Sequence, residues 1–101
     1  MKKAEPATFI EPSYERTRTG PKINGVQFYS YHTGIMSYAE ISEGGQIMVR
    51  MANAHRDGAP TYFADVIGHG EIKGRGGQRK RFRSEQAALR AGVKTWREMN
   101  D

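Results

Sequence analysis

Residues 61–99, TYFADVIGHGEIKGRGGQRKRFRSEQAALRAGVKTWREM, decide the fold. The second half of this stretch is a helix with a marked start. Ser84 is a good N-cap, Glu85 sits in the first turn where it favours the dipole, and Gln86, Ala87, Ala88, Leu89 and Arg90 are all good helix formers. The helix is expected to run to about Met99. At 100° per residue Ala88, Leu89, Gly92, Val93, Trp96 and Met99 share one side, an apolar stripe suited to packing across a sheet. Gly92 costs such a helix about 1 kcal/mol relative to Ala, and the compensation expected is close approach to that sheet.

Upstream of the helix the period changes from helical to alternating. Residues 61–67 read as a strand, and HGEIKGRGGQRKRFR, with four glycines and dense charge, reads as a long β-hairpin loop returning through a short edge strand near Arg79 to Phe82. QIMVRMA at 46–52 puts Ile47, Val49 and Met51 on one face and Met48, Arg50 and Ala52 on the other. Asp57-Gly58 in the loop NAHRDGAP supplies a reversal, as does SEGG at 42–45. VQFYSY and IMSYAEI form a further hairpin, with His32, Thr33 and Gly34 as its expected turn. Residues 1–24, with three prolines and no sustained period, are read as a flexible arm, leaving 25–101 as one ββα-type domain. The expected class is therefore α+β: a small antiparallel sheet of three to five strands packed against one C-terminal helix.

Bulk composition agrees with one modest core. The chain has 101 residues, 37% of them hydrophobic, which suits a folded domain at the polar end of the range. Cysteine is absent, so disulfides and thiolate metal sites are excluded and burial must hold the fold. No stretch approaches the ~18 apolar residues of a membrane span, and MKKAEPATF has basic residues with no apolar run behind them. No membrane association and a cytoplasmic location are the expectations.

Charge is unevenly placed. The net charge is +5, yet residues 72–101 carry nine Lys or Arg against three acids, while residues 1–71 carry seven against eight. Lys73 to Arg83 contains six basic residues, Lys73, Arg75, Arg79, Lys80, Arg81 and Arg83, and no acid, interleaved with glycines that let backbone approach a phosphate. Arg90, Lys94 and Arg97 at i, i+4 and i+7 form a second basic stripe opposite the apolar one, where a solvated helix face competes with a phosphate-contacting one. Arg50, Arg79 and Arg81 on strands are the candidates for reading bases.

Catalytic and cofactor readings find little. His32, His55 and His69 lie on different loops without a paired spacing, and are read as turn or surface residues rather than metal ligands. No nucleophile elbow accompanies Ser, His and Asp. Asp65 is read as lying on an exposed strand face or bonding the basic loop. GRGG at 74–77 is not followed by GK[ST] or a helix start, so it is not a nucleotide loop. Neither an enzyme nor a cofactor is expected. Tyr29, Tyr31 and Tyr38 offer a stacking platform, against the plainer reading that they fill sheet faces.

From Tyr62 onward, YFADVIG and then GGQRKRFRSEQAALRAGVKTW resemble the three-strand-plus-helix DNA-binding domain of plant ethylene-response factors and the arm-binding domain of phage-type integrases. The shared features are the aromatic-Ala-x-Val strand, the glycine and basic turn, and F-x-S-E-Q-A-A opening the helix, over about residues 46–99. The resemblance implies a small nucleic-acid-binding protein of phage or mobile-element type, with strand arginines touching bases, which carries over to Arg50, Arg79 and Arg81. A double-stranded-RNA-binding domain is a further look-alike, ranked behind because Ser84, Glu85 and Gln86 stand where that domain has a lysine pair. DNA is thus expected ahead of RNA. The rival expectation is a protein-interaction module, a phage accessory or host-factor-binding protein that docks through the arm and strands 26–41. An exposed edge strand also allows a homodimer.

Overall fold

The computed structural model describes residues 15–34, 37–52 and 61–100. It shows an α+β fold in which six antiparallel strands lie in chain order and one helix packs on a face of the sheet. The strands are β1 (Glu15–Ile23), β2 (Val26–Gly34), β3 (Ser37–Ser42), β4 (Ile47–Ala52), β5 (Thr61–Val66) and β6 (Gly70–Glu71), followed by α1 (Glu85–Asn100). Six strands exceed the expected three to five because the arm assignment does not hold over its second half: Glu15–Ile23 is the edge strand β1.

The signal for β1 is Asn24-Gly25. Both residues have positive φ, 48° and 86°, and they join Ile23 to its cross-strand partner Val26. An Asn-Gly pair with this geometry matches the right-handed twist of a two-residue hairpin. Pro21 would end a central strand, but at an edge its missing N–H costs no ladder bond, and the register shifts there. The Gln27 side chain repairs the irregularity by donating to the Gly20 and Phe28 carbonyls at 2.7 and 2.9 Å.

The remaining turns follow local chemistry. Gly44 and Gly45, at φ 90° and 76°, turn β3 into β4, and Ser42 Oγ accepts the Ile47 amide at 3.0 Å. His32 and Gly34 belong to β2 rather than to a turn, paired with Tyr38 and Ser37. The expected Asp57-Gly58 reversal and His55 lie outside the described residues, as do residues 1–14 of the arm. After β6 the chain keeps pairing: Ile72 donates to Ala64, Lys80 to Ile72, and Tyr62 and Phe82 exchange both backbone bonds at 2.9 Å. The expected return strand is therefore a pair of bridges, Lys73 with Arg79 and Tyr62 with Phe82.

Alternation divides the sheet into two faces. Toward α1 point Phe28, Ile47, Val49, Ala64 and Val66, which join Ile23, Phe82 and the helix residues Ala88, Leu89 and Val93 in the main core. Burying each large side chain contributes roughly 1.5–3 kcal/mol. On the opposite face Tyr31, Ala39, Ile41 and Met48 form a second buried cluster with Tyr29 against it. Ser84 caps α1, its Oγ accepting the Ala87 amide at 3.1 Å. Of the expected apolar stripe, Ala88, Leu89, Gly92 and Val93 are buried, Trp96 is half-buried and Met99 is exposed. No helix among the described residues is long and apolar enough to cross a membrane.

At Gly92 helix and sheet meet closely: a Cβ built there would stand 2.6 Å from Ile47 Cγ2. Helix propensity alone favours Gly92→Ala by about 1 kcal/mol, whereas overpacking costs about 1–3 kcal/mol. Gly92→Ala is therefore expected to lower the urea midpoint. Adding Ile47→Leu, which removes the offending methyl at nearly constant volume, should recover part of the loss; a stabilised single variant would show that the approach is not tight.

Candidate functional site

Once folded, the candidate basic residues divide into those held by other groups of the protein and those left exposed. On the face opposite α1, Arg50 of β4 lies in cross-strand register with Phe63, and Met48 with Asp65, which in turn faces Glu71 of β6. Arg50 Nη2 donates to Asp65 Oδ2 at 3.4 Å, and Arg79 Nε bonds Glu71 Oε2 while its guanidinium lies over the Phe63 ring, 4.4 Å from the centroid. These are the ion pairs among the described residues. Asp65 is buried rather than on an exposed strand face, and burial raises its pKa; the Arg50 guanidinium opposes that shift, Glu71 adds to it, and Arg79 again opposes. Two of the three candidate base-reading arginines are thus held by carboxylates on their own sheet.

The second group is unpaired. Lys73, Arg75, Lys80, Arg81, Arg83, Arg90 and Lys94 are all exposed, and none makes an ion pair with a described residue. Lys80 has its ammonium 5.2 Å from the centroid of the Phe82 ring. Phe82 itself is buried in the core and so anchors the hairpin instead of offering a stacking surface. Gly77, at φ 79°, and the Gly74 amide bonding Gln78 O at 2.7 Å shape the tip. Arg97 departs from its stripe: it donates to Asn24 O and so ties the end of α1 to the β1–β2 turn.

A second feature lies on the α1 side of the sheet, where strands β1 to β3 extend past the helix and carry polar groups. Arg18, Ser30 and Glu40 stand in one cross-strand row. Arg18 Nε donates to Ser30 Oγ at 3.4 Å, and Ser30 Oγ donates to Glu40 Oε2 at 2.6 Å. Glu40 is only 4% exposed, and its buried Oε1 has no hydrogen-bond partner among the described residues. Gly20 makes room for it, since any Cβ at that position would collide with Oε1. Burial raises the Glu40 pKa, the Ser30 hydrogen bond opposes this, the Glu85 charge adds to it, and Arg18 opposes.

This row borders a cleft of about 370 Å³ lined by Arg18, His32, Tyr38, Glu40, Val49, Met51 and Glu85. The His32 and Tyr38 rings lie 4.8 Å apart at 33°. Tyr38, 45% exposed, is therefore on the helix side while Tyr29 and Tyr31 join the opposite cluster, so the three tyrosines form no common platform. The cleft escapes sequence reading because its residues come from β1 to β4 and the first turn of α1, and register alone brings them together. The legible hint is the break in alternation at Ser30, His32, Tyr38, Glu40 and Ser42, polar residues at positions facing the helix layer.

Comparison of the sequence with protein-family models, with curated proteins and with solved structures gives no match.

Because the folded pKa of Glu40 lies above its unfolded value, the folded state binds that proton more tightly, and the stability it contributes at acid pH is lost as pH rises between the two values. Glu40→Gln removes that dependence. Relative to the parent, the variant should gain stability between pH about 4 and about 7, read by urea denaturation at both. A difference independent of pH would show that the carboxyl titrates normally.

Proposed function

We propose that this chain binds nucleic acid, DNA ahead of RNA, by phosphate contact through the 73–83 hairpin and the outer side of α1. The observation that carries this reading is the separation of cations: Arg50, Arg79 and Arg97 are held by groups of the protein, while Lys73, Arg75, Lys80, Arg81, Arg83, Arg90 and Lys94 stand exposed without an ion pair among the described residues. Unpaired cations concentrated on one hairpin and one helix side release condensed counterions when phosphates replace solvent, which drives binding with little regard to sequence. Glycines at 74, 76 and 77 carry no side chain to hold a backbone phosphate away, and a Cβ at 76 or 77 would meet nothing within 4 Å.

Base reading by Arg50 and Arg79, as in the ethylene-response-factor type, would require each to leave its carboxylate, and Met48 and Phe63 beside them are buried. The proposal therefore rests on phosphates. The phage or mobile-element setting comes from the sequence resemblance alone.

The test is fluorescence anisotropy with labelled duplex DNA, single-stranded DNA and duplex RNA at two salt concentrations. Binding is expected to weaken steeply with salt. The variant Lys80→Ala/Arg81→Ala/Arg83→Ala, which keeps Phe82 in the core, should flatten the log–log salt slope by about 2–3 on duplex DNA, near 0.9 for each phosphate that is no longer neutralised. Undiminished affinity in this variant, or no binding at low salt, would overturn the reading and turn attention to protein partners.

A further inference from the structure

Phosphate binding leaves the cleft beside the first turn of α1 unexplained. Its volume of about 370 Å³ falls within the range of small-ligand pockets, about 300–1,000 Å³. Its lining combines two rings, His32 and Tyr38; two carboxylates, Glu40 and Glu85; one guanidinium, Arg18; and apolar Val49 and Met51. Glu40 Oε1 is closed off from the cleft against Gly20 and Oε2 accepts from Ser30, so half-buried Glu85 is the carboxylate open to a ligand.

Each group restricts the occupant. Aromatic rings beside apolar side chains favour a flat unsaturated ring. Ionised carboxylates only accept, so the occupant's edge must bring N–H groups, and two adjacent N–H groups match the two oxygens of one carboxylate. Arg18 only donates, so the same occupant must bring an acceptor. The lining sets two acidic side chains against one guanidinium, which disfavours a phosphate inside the cleft.

Among the bases of nucleic acids, guanine carries this combination. Its ring N–H and exocyclic amino group are adjacent donors, and its carbonyl stands next to them as the acceptor. Adenine and cytosine place the amino group beside a ring-nitrogen acceptor, which a carboxylate repels, and uracil and thymine have a single N–H between two carbonyls. Arg81 and Arg83 precede Glu85 by four and two residues, so the exposed cations of the hairpin lead along the chain to the cleft.

We infer that the cleft between β1–β4 and the first turn of α1 takes one unstacked guanine base, its ring against His32 and Tyr38, its N–H edge on the Glu85 carboxylate and its carbonyl toward Arg18. How the base is delivered rests on the nucleic-acid reading; the fit of the base does not. A base held there is out of its duplex, so the site selects single-stranded or unpaired guanine.

The experiment is an NMR titration of the full chain with guanosine, and separately with adenosine, cytidine and uridine, following the His32 and Tyr38 ring resonances. Saturable guanosine binding is expected, weakened at least tenfold in Glu85→Gln and also reduced in Tyr38→Ala. Should Tyr38→Ala fail to fold, Glu85→Gln carries the test. No saturable shift, equal response to the four nucleosides, or full affinity in Glu85→Gln and Tyr38→Ala would overturn the inference. Guanosine has no phosphate, which separates the two readings: guanosine bound while every oligonucleotide fails would sink polyanion binding and keep the pocket, and the reverse would sink the pocket alone.

Discussion

The approach of α1 to β4 at Gly92 sets the spacing on which the rest of the structure depends. A single helix covers only part of a six-stranded sheet, and the missing side chain at position 92 lets it sit down against Ile47 with Ala88, Leu89 and Val93 reaching the sheet around it. Interiors packed to crystal-like density do not absorb an added methyl group there without displacement. Two further contacts hold the helix in that seat. Ser84 fixes where its first turn begins, and Arg97 clasps the Asn24 carbonyl near its other end, so that the β1–β2 turn is bound to the helix across the width of the core.

The position of the helix in turn creates the polar cleft. With α1 lying over β4 and β5, the same side of β1 to β3 is left to Arg18, Ser30, His32, Tyr38 and Glu40, and Glu85 is carried to its rim by the first turn. Charges on the two faces are treated differently. Opposite the helix, Arg50 with Asp65 and Arg79 with Glu71 neutralise one another across neighbouring strands. Such partly exposed pairs contribute little stability, about 0–1 kcal/mol each, but they remove two cations from the surface open to a ligand. Beside the helix the Glu40 carboxyl is only half satisfied.

Much of the fold is legible in particular residues. Ser84, the Ala88–Val93 stripe and the alternation of Ile47, Val49 and Met51 specify the helix and the face it covers from the sequence onward. The glycine at 92 also signals its own purpose. The strand β1 is legible too, but through Asn24-Gly25 rather than through the prolines and charges that mark the segment as an arm. An edge strand tolerates both, because one side of its backbone faces no neighbour. The basic residues are visible in the sequence, yet that Arg50, Arg79 and Arg97 are spent on Asp65, Glu71 and Asn24 depends on register and on the return of the chain through Phe82. The cleft depends on cross-strand partners ten or more residues apart, such as Ser30 with Glu40 and Arg18 with Ser30, and no local pattern states them.

The strand order has a kinetic side. Every strand pairs with its neighbours in sequence, so the sheet can grow one hairpin at a time, each closing a short loop at modest entropic cost. The helix follows all six strands in the chain, and until it docks, Phe28, Ile47, Val49 and Val66 have no cover from it. A chain emerging from the ribosome would therefore expose a sticky half-finished sheet for as long as it takes to make the residues from Val66 to the end of α1, at roughly 5–20 residues per second. The glycine-rich cationic hairpin is synthesised in that interval, and its like charges, held beside the uncovered strands, would oppose their association with other chains.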